Sequence, residues 1–173
     1  AITGWTVGGS IDYIGSYWDA SDGSRSLDMN GNDIGSVSQT VALEANQAYK
    51  LSFDLSGNPD NEPVIKTLQV AITGADNSTN NSSFTFDTTG IARPNSMGWV
   101  TEAIWFTAAL TQNYTFTFSS LDADKWGPAL DNVVLSAVPL PPAAIAFLSV
   151  LAGAGFVARR KQKKDSADGA AAV

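Results

Sequence analysis

Apolar residues recur at every second position through much of the first 137 residues. Tyr49, Leu51, Phe53 and Leu55 fall on one side of an extended segment, and Leu68, Val70 and Ile72 do the same. In Tyr114–Phe118 aromatic residues alternate with threonine. Successive side chains of an extended chain point to opposite faces, so period two marks a strand with one buried face and one wet face. Val37–Val41, Phe84–Phe86, Val100–Thr107 and Leu130–Leu135 are further candidates. Between them lie Gly, Asn, Asp and Pro clusters: Asn30 with Gly31, Gly57–Asp60, Gly74–Asn81 and Arg93–Asn95. These residue types favour turns. Short strands punctuated by turns predict an all-β antiparallel jelly-roll β-sandwich over residues 1–137. Neither helical periodicity nor an internal repeat interrupts it, so one domain is expected.

The remaining residues have a different grammar. Val138, Pro139, Leu140, Pro141 and Pro142 form a Pro-rich linker, and residues 143–158 are uncharged and mostly apolar. Arg159, Arg160, Lys161, Lys163 and Lys164 follow at once, heading a basic tail over 159–173. An apolar stretch abutting a basic cluster predicts one C-terminal transmembrane helix with its basic end in the cytoplasm. Residues 143–158 span about 24 Å as a helix, and counting from Val138 brings the run to the length of a hydrocarbon core of about 30 Å. Pro141 and Pro142 are tolerated in a first helical turn. Small residues at Ser149, Gly153, Ala154, Gly155 and Ala158 would let another helix approach closely. The chain opens on Ala1, Ile2, Thr3, Gly4 and Trp5 without a basic and apolar leader, so an exported chain is expected to be numbered from a processed N-terminus.

There is no Cys and no His. That excludes disulfides, Cys/His metal centres and Ser-His-Asp triads. Residues 1–137 carry 15 Asp/Glu against five Lys/Arg, a balance of −10, whereas residues 138–173 carry two against five, +3. An acidic body of this kind repels nucleic acid and anionic lipid and favours divalent cations, basic partners or neutral sugars.

Tyr17, Trp18, Trp99 and Trp126 sit among Gly, Ser and Asp, where loops are expected. Rings exposed on loops serve sugars or protein partners, while for Trp18 and Trp126 covering an end of the sandwich core is an equally open reading. Trp5 and Trp105 are expected in the core, where large aromatic groups dominate burial. Asp22, Asp28 and Asp131 lie in or beside oxygen-rich turns, the ligand type that Ca²⁺ takes. Paired carboxylates such as Asp122 with Asp124, or Asp54 with Asp60, could support glycoside hydrolysis, but they read equally as solvated loop acids.

Two resemblances add to this. The ordered set Gly4-Trp5, Gly9–Ile14, Ser26–Gly31, Gly35–Thr40, Tyr49–Leu55, Gly57–Pro59 and Gly127–Val133 resembles the choice-of-anchor C family of exported bacterial proteins. That family is similar to galactose-binding-like jelly rolls, including plant cell-wall proteins of related pattern. Its members usually begin with an Asn-Gly-Ser-Phe-Glu strand ahead of the Trp, which this chain does not have. The resemblance implies a surface location and a jelly roll holding structural Ca²⁺ between an early loop and the last strand, which would bring Asp28 towards Asp131. The Val138–Pro142 motif, apolar run and Arg159/Arg160 cluster resemble the PEP-CTERM sorting tail in its Val-Pro-Leu-Pro-Ala form, with Pro142 in place of Ala.

The expectation is therefore a non-enzymatic, membrane-anchored, periplasmic or extracellular binding module. It would serve as an accessory subunit of a membrane assembly or an envelope component, with other membrane-protein subunits as partners. The rival is a carbohydrate-binding surface protein whose partner is a polysaccharide. A carboxylate-dependent glycoside hydrolase is the weakest reading.

Overall fold

The computed structural model describes residues 2–139. The expected membrane helix at 143–158, with Pro141, Gly153, Gly155, Arg159 and Arg160, lies outside the described residues. Among the described residues, no helix is long and apolar enough to cross a membrane.

Among the described residues ten strands form: β1 (Thr6–Gly9), β2 (Asp12–Ile14), β3 (Ser26–Asp28), β4 (Gly35–Leu43), β5 (Ala48–Gly57), β6 (Ile65–Gly74), β7 (Thr79–Asp87), β8 (Val100–Thr107), β9 (Gln112–Ser120) and β10 (Pro128–Ala137). They make two five-stranded sheets, β1-β4-β9-β6-β7 and β2-β3-β10-β5-β8, and each pairing is antiparallel. From β4 to β6 and again from β7 to β10 the chain crosses between sheets at each turn.

The alternation read from the sequence is what packs the sheets together. Leu68, Val70 and Ile72 of β6 are buried, as are Tyr114, Phe116 and Phe118 of β9. They meet Leu51, Phe53 and Leu55 of β5 and Leu130 of β10. Phe53 sets its ring edge-on to Phe84 and Phe118, with centroids 5.1 and 5.3 Å away, a geometry that aromatic quadrupoles favour. Trp5 lies against Phe118 at the margin of this core.

The opposite face of the first sheet is a lattice of small uncharged groups. One row runs Thr6, Ser38, Thr117, Ala71, Asn81; its neighbour runs Gly8, Ser36, Ser119, Gln69, Ser83. The outer face of the second sheet is partly roofed. The segment between β2 and β3 crosses it and drops Trp18 into a small second core with Met97 and Ala129. Trp18 is 1% exposed, and its indole N–H donates to Ser26 Oγ at 2.8 Å.

Three short strands, β1, β2 and β3, escaped the alternation because three or four residues are too few to display a period. β7 begins at Thr79, inside the stretch read as a turn, because pairing with β6 supplies its backbone partners from Thr79 onward.

Candidate functional site

Three loops and two strands meet at one end of the second sheet. β2 brings Asp12 and Tyr13, the roofing segment brings Tyr17 and Arg25, and β3 ends on Asp28. The loop after β5 adds Asn58 and Asp60, and the loop before β10 adds Lys125 and Trp126. Together they line an open cleft of about 620 Å³. That volume suits a small ligand or a few units of a polymer.

Asp28 ties these segments together. It is 2% exposed. It accepts from Asn30 N at 3.0 Å, Gly127 N at 3.1 Å and Asn58 Nδ2 at 2.8 Å. Burial pushes its carboxyl up to about 7 against the pull of those three donors, and the neighbouring Asp12 charge adds to the rise. Asn30 lies fully buried beside it and donates through Nδ2 to the carbonyls of Asp122, at 2.7 Å, and Asp124. Gly127 is required here, since a Cβ would lie 2.5 Å from Asn30 Oδ1.

Tyr17 is braced from two sides. Its hydroxyl donates to Asp60, whose other oxygen accepts from Arg93 Nε at 2.5 Å. The Arg93 guanidinium lies 4.0 Å above the centre of the Tyr17 ring. The bond to Asp60, with some burial, raises the Tyr17 hydroxyl above its ordinary value. For Asp60, burial acts upward, but the bonds from Tyr17 and Arg93 together hold the carboxyl below its usual range. Tyr13 is 57% exposed and carries the Arg25 guanidinium over its ring at 5.5 Å. The cleft thus presents exposed tyrosine rings and a half-buried tryptophan beside amide, carboxylate and cationic groups.

The expected site residues divide. Tyr17 and Trp126 share the cleft with Asp28. Trp18, a candidate binding ring with a core position as the open alternative, takes the core position, a correction to its place among the binding residues: it fills the small core beneath the roofing segment and offers no face to a ligand. Trp99 is half-buried against that same core and donates to the Asp19 carbonyl at 3.0 Å, so it pins a loop. Trp105 is the second correction. Expected in the core, it is 64% exposed on the outer face of β8, with Lys50 Nζ 5.4 Å from its ring centre. Ile104 and Phe106 occupy the inward positions on either side, so alternation forces Trp105 out. Tyr13 went unnoticed because a lone Tyr between Asp12 and Ile14 carries no distinguishing signal.

Asp22, Asp28 and Asp131 do not converge. Asp28 is enclosed by its three donors, and Asp131 accepts instead from Ser21 N, Ser21 Oγ and Asp22 N at 2.8, 3.1 and 3.1 Å. Asp22 therefore meets Asp131 through its backbone, not its carboxylate. Among the described residues no group of three or more acidic side chains is placed to hold a metal ion. This donor arrangement does not fit the expected Ca²⁺ site. The acid pairs are equally dispersed. Asp54 is engaged by Thr101, Ser21 and Asn132, while Asp60 is held by Tyr17 and Arg93. Asp122 is buried, accepting from Thr67 N, and Asp124 is exposed. Val138 leaves β10 with its carbonyl accepting from Gln47 Nε2, and Pro139 follows as an exposed residue.

Known proteins share this sequence pattern and this fold. The chain is 35% identical over 150 residues to halomucin of Haloquadratum walsbyi, a match that spans 83% of this chain but 2% of that protein. The xylan-binding domain CBM22-1 of Paenibacillus barcinonensis Xyn10C superposes with a TM-score of 0.57 at 14% identity, covering 81% of this chain and 89% of that one. TmCBM61, solved with β-1,4-galactotriose, superposes at 0.55 with 20% identity, covering 79% and 90%. At such identities the likeness is one of fold: a β-sandwich similar to carbohydrate-binding modules. The sequence profile that matches residues 1–136 is that of DUF642, described as proteins of unknown function, and the chain belongs to this family.

Proposed function

We propose that the chain is a non-catalytic carbohydrate-binding module that grips a polysaccharide in the cleft of Tyr13, Tyr17, Asp28, Asn58 and Trp126. The observation that carries this is the cleft itself. Exposed rings give flat apolar faces for the C–H faces of a sugar, and the amides and carboxylates between them match its hydroxyls. Likeness to a xylan-binding domain and to a module solved with a galactotriose supports the reading. The dispersal of the acids supports a binder over a hydrolase, because glycoside hydrolysis needs two carboxyl groups facing one bond. The apolar run at 143–158 with its basic flank supports an exported module held at the membrane by its C-terminus.

Affinity electrophoresis of the wild-type chain through gels containing xylan, galactan or other plant and bacterial polysaccharides tests this. At least one polymer should retard the protein, and Trp126→Ala with Tyr17→Ala should abolish the retardation. Retardation by none, or by all equally in the double variant, refutes it. A second reading, as an accessory subunit of a membrane assembly, is favoured by the exposed Trp105–Lys50 pair, an aromatic and a cation of the kind protein interfaces use. Co-purification of stoichiometric companions, lost on Trp105→Ser, would favour it.

A further inference from the structure

The five cations of residues 1–137 are Arg25, Lys50, Lys66, Arg93 and Lys125, against 15 acids. Four of the five gather around one cleft. Arg25 and Lys125 line it. Arg93 covers Tyr17 and binds Asp60, both lining residues. Lys66 is buried close by, where the charge of Asp122 acts on it. Lys50 alone lies elsewhere, over Trp105. In a domain with a balance of −10, cations scattered for solubility would find carboxylate partners on all sides. Among the described residues, the Arg93–Asp60 contact is the one ion pair. Arg25 and Lys125 enter the cleft with no carboxylate partner.

We propose that the cleft selects an acidic polysaccharide, one whose sugars bear carboxylates, with Arg25 as the clamp and Lys125 as the second cation. The proposal rests on the carbohydrate-binding reading and adds the substrate class to it. A guanidinium offers two parallel N–H groups that match a carboxylate, which an ammonium cannot do. Arg25 is laid out for that use. Its guanidinium rests over Tyr13, and Gly15 makes room for it, since a Cβ there would lie 2.3 Å from Nη1. Two of the three acids that line the cleft oppose an anion weakly. Asp60 is neutralised by Arg93, and the enclosed Asp28 carboxyl holds its proton up to about 7. Asp12, exposed on β2, remains as an acceptor for sugar hydroxyls.

The test compares polygalacturonate with its fully methyl-esterified form, which keeps the backbone and removes the charge, and with dextran sulfate, which keeps charge without the carboxylate. Binding of the full chain is measured by calorimetry at about 0.15 M ionic strength, where distant charges are screened. Polygalacturonate should bind roughly tenfold tighter than the ester, the size of one charge-assisted hydrogen-bonded contact. Arg25→Gln and Arg25→Lys should both erase most of that ratio, and Lys125→Gln should lower it less. Lys50→Gln, which removes the same charge away from the cleft, should leave it unchanged. Thermal melting of each variant establishes that it folds, and the Lys125→Gln arm stands if Arg25→Gln does not. Equal affinity for acid and ester overturns the acidic-sugar proposal while leaving the cleft as a neutral-sugar site. An Arg25→Lys variant that matches wild type, or dextran sulfate bound as tightly as polygalacturonate, reduces the effect to bulk charge and also overturns it. Failure to bind any polysaccharide removes this proposal and the carbohydrate reading together.

Discussion

Asp28 and Trp18 are both almost fully buried polar-bearing side chains, and each sets a measurable quantity. The folded Asp28 carboxyl titrates near 7, against an ordinary value of 3.8. Between those values the folded protein holds a proton that the unfolded chain has released. Stability from this group is therefore full below about pH 4 and is lost as pH rises to 7, with a ceiling of about 4 kcal/mol. Asp54 and Asp60, whose hydrogen bonds outweigh burial and lower their values, act with the opposite sign and only at more acidic pH. Melting temperature followed from pH 4.5 to 7.5 should fall more steeply for wild type than for Asp28→Asn, which stays neutral throughout. Parallel curves for the two proteins would show that Asp28 is ionised in the fold. Trp18→Ala should cost about 3–5 kcal/mol in urea denaturation, because a closed core site loses its largest side chain. An exposed Trp18 would cost far less. Nothing in the pair Tyr17-Trp18 told the two rings apart: one became a braced cleft wall and its neighbour a core plug.

At the scale of the element, β8 and β6 show how a strand's register decides what a residue type means. The stretch Val100–Thr107 contains Ile104, Trp105 and Phe106 in succession, and only one parity can face inward. Two core side chains outweigh one, so Trp105 points to solvent. Trp105→Ser should accordingly change stability by no more than about 0.5 kcal/mol by denaturant melts, the range of ordinary surface substitutions. β6 makes the opposite case: Lys66 continues the inward row of Leu68, Val70 and Ile72 and is buried completely. Its Nζ donates to the Asn61 carbonyl at 3.0 Å, and burial lowers its affinity for the proton against the charge of Asp122. The lysine stem fits because Gly57 lies across from it; a Cβ there would come within 2.6 Å of Lys66 Cγ and 2.8 Å of Thr88 Cγ2. Gly57→Ala should lower stability by about 1–3 kcal/mol through overpacking, and a neutral outcome in the same melts would mean that the Lys66 stem moves aside freely.

At the scale of the whole molecule, the antiparallel strands of the sandwich bring loops from distant parts of the chain to one end of it. The cleft is made by that convergence: Tyr13, Asn58 and Trp126 are far apart in sequence, and Asp28 holds their segments in register. Divalent cations offer a direct check on the expected Ca²⁺. Because Asp28 and Asp131 already spend their oxygens on separate sets of N–H and O–H donors, melting temperatures in Ca²⁺ and in chelator should coincide. A Ca²⁺-dependent rise that Asp131→Ala abolishes would restore the site. The class of fold was legible in the sequence, since period-two alternation and turn residues are local properties that each strand carries by itself. Tyr17 and Trp126 were legible as loop rings for the same local reason. Which rings would be exposed, which acids would meet, and that four scarce cations would surround one cleft were not legible. Those outcomes depend on sheet parity and on which loops the crossings bring together, and both are properties of the packed sandwich rather than of any short segment.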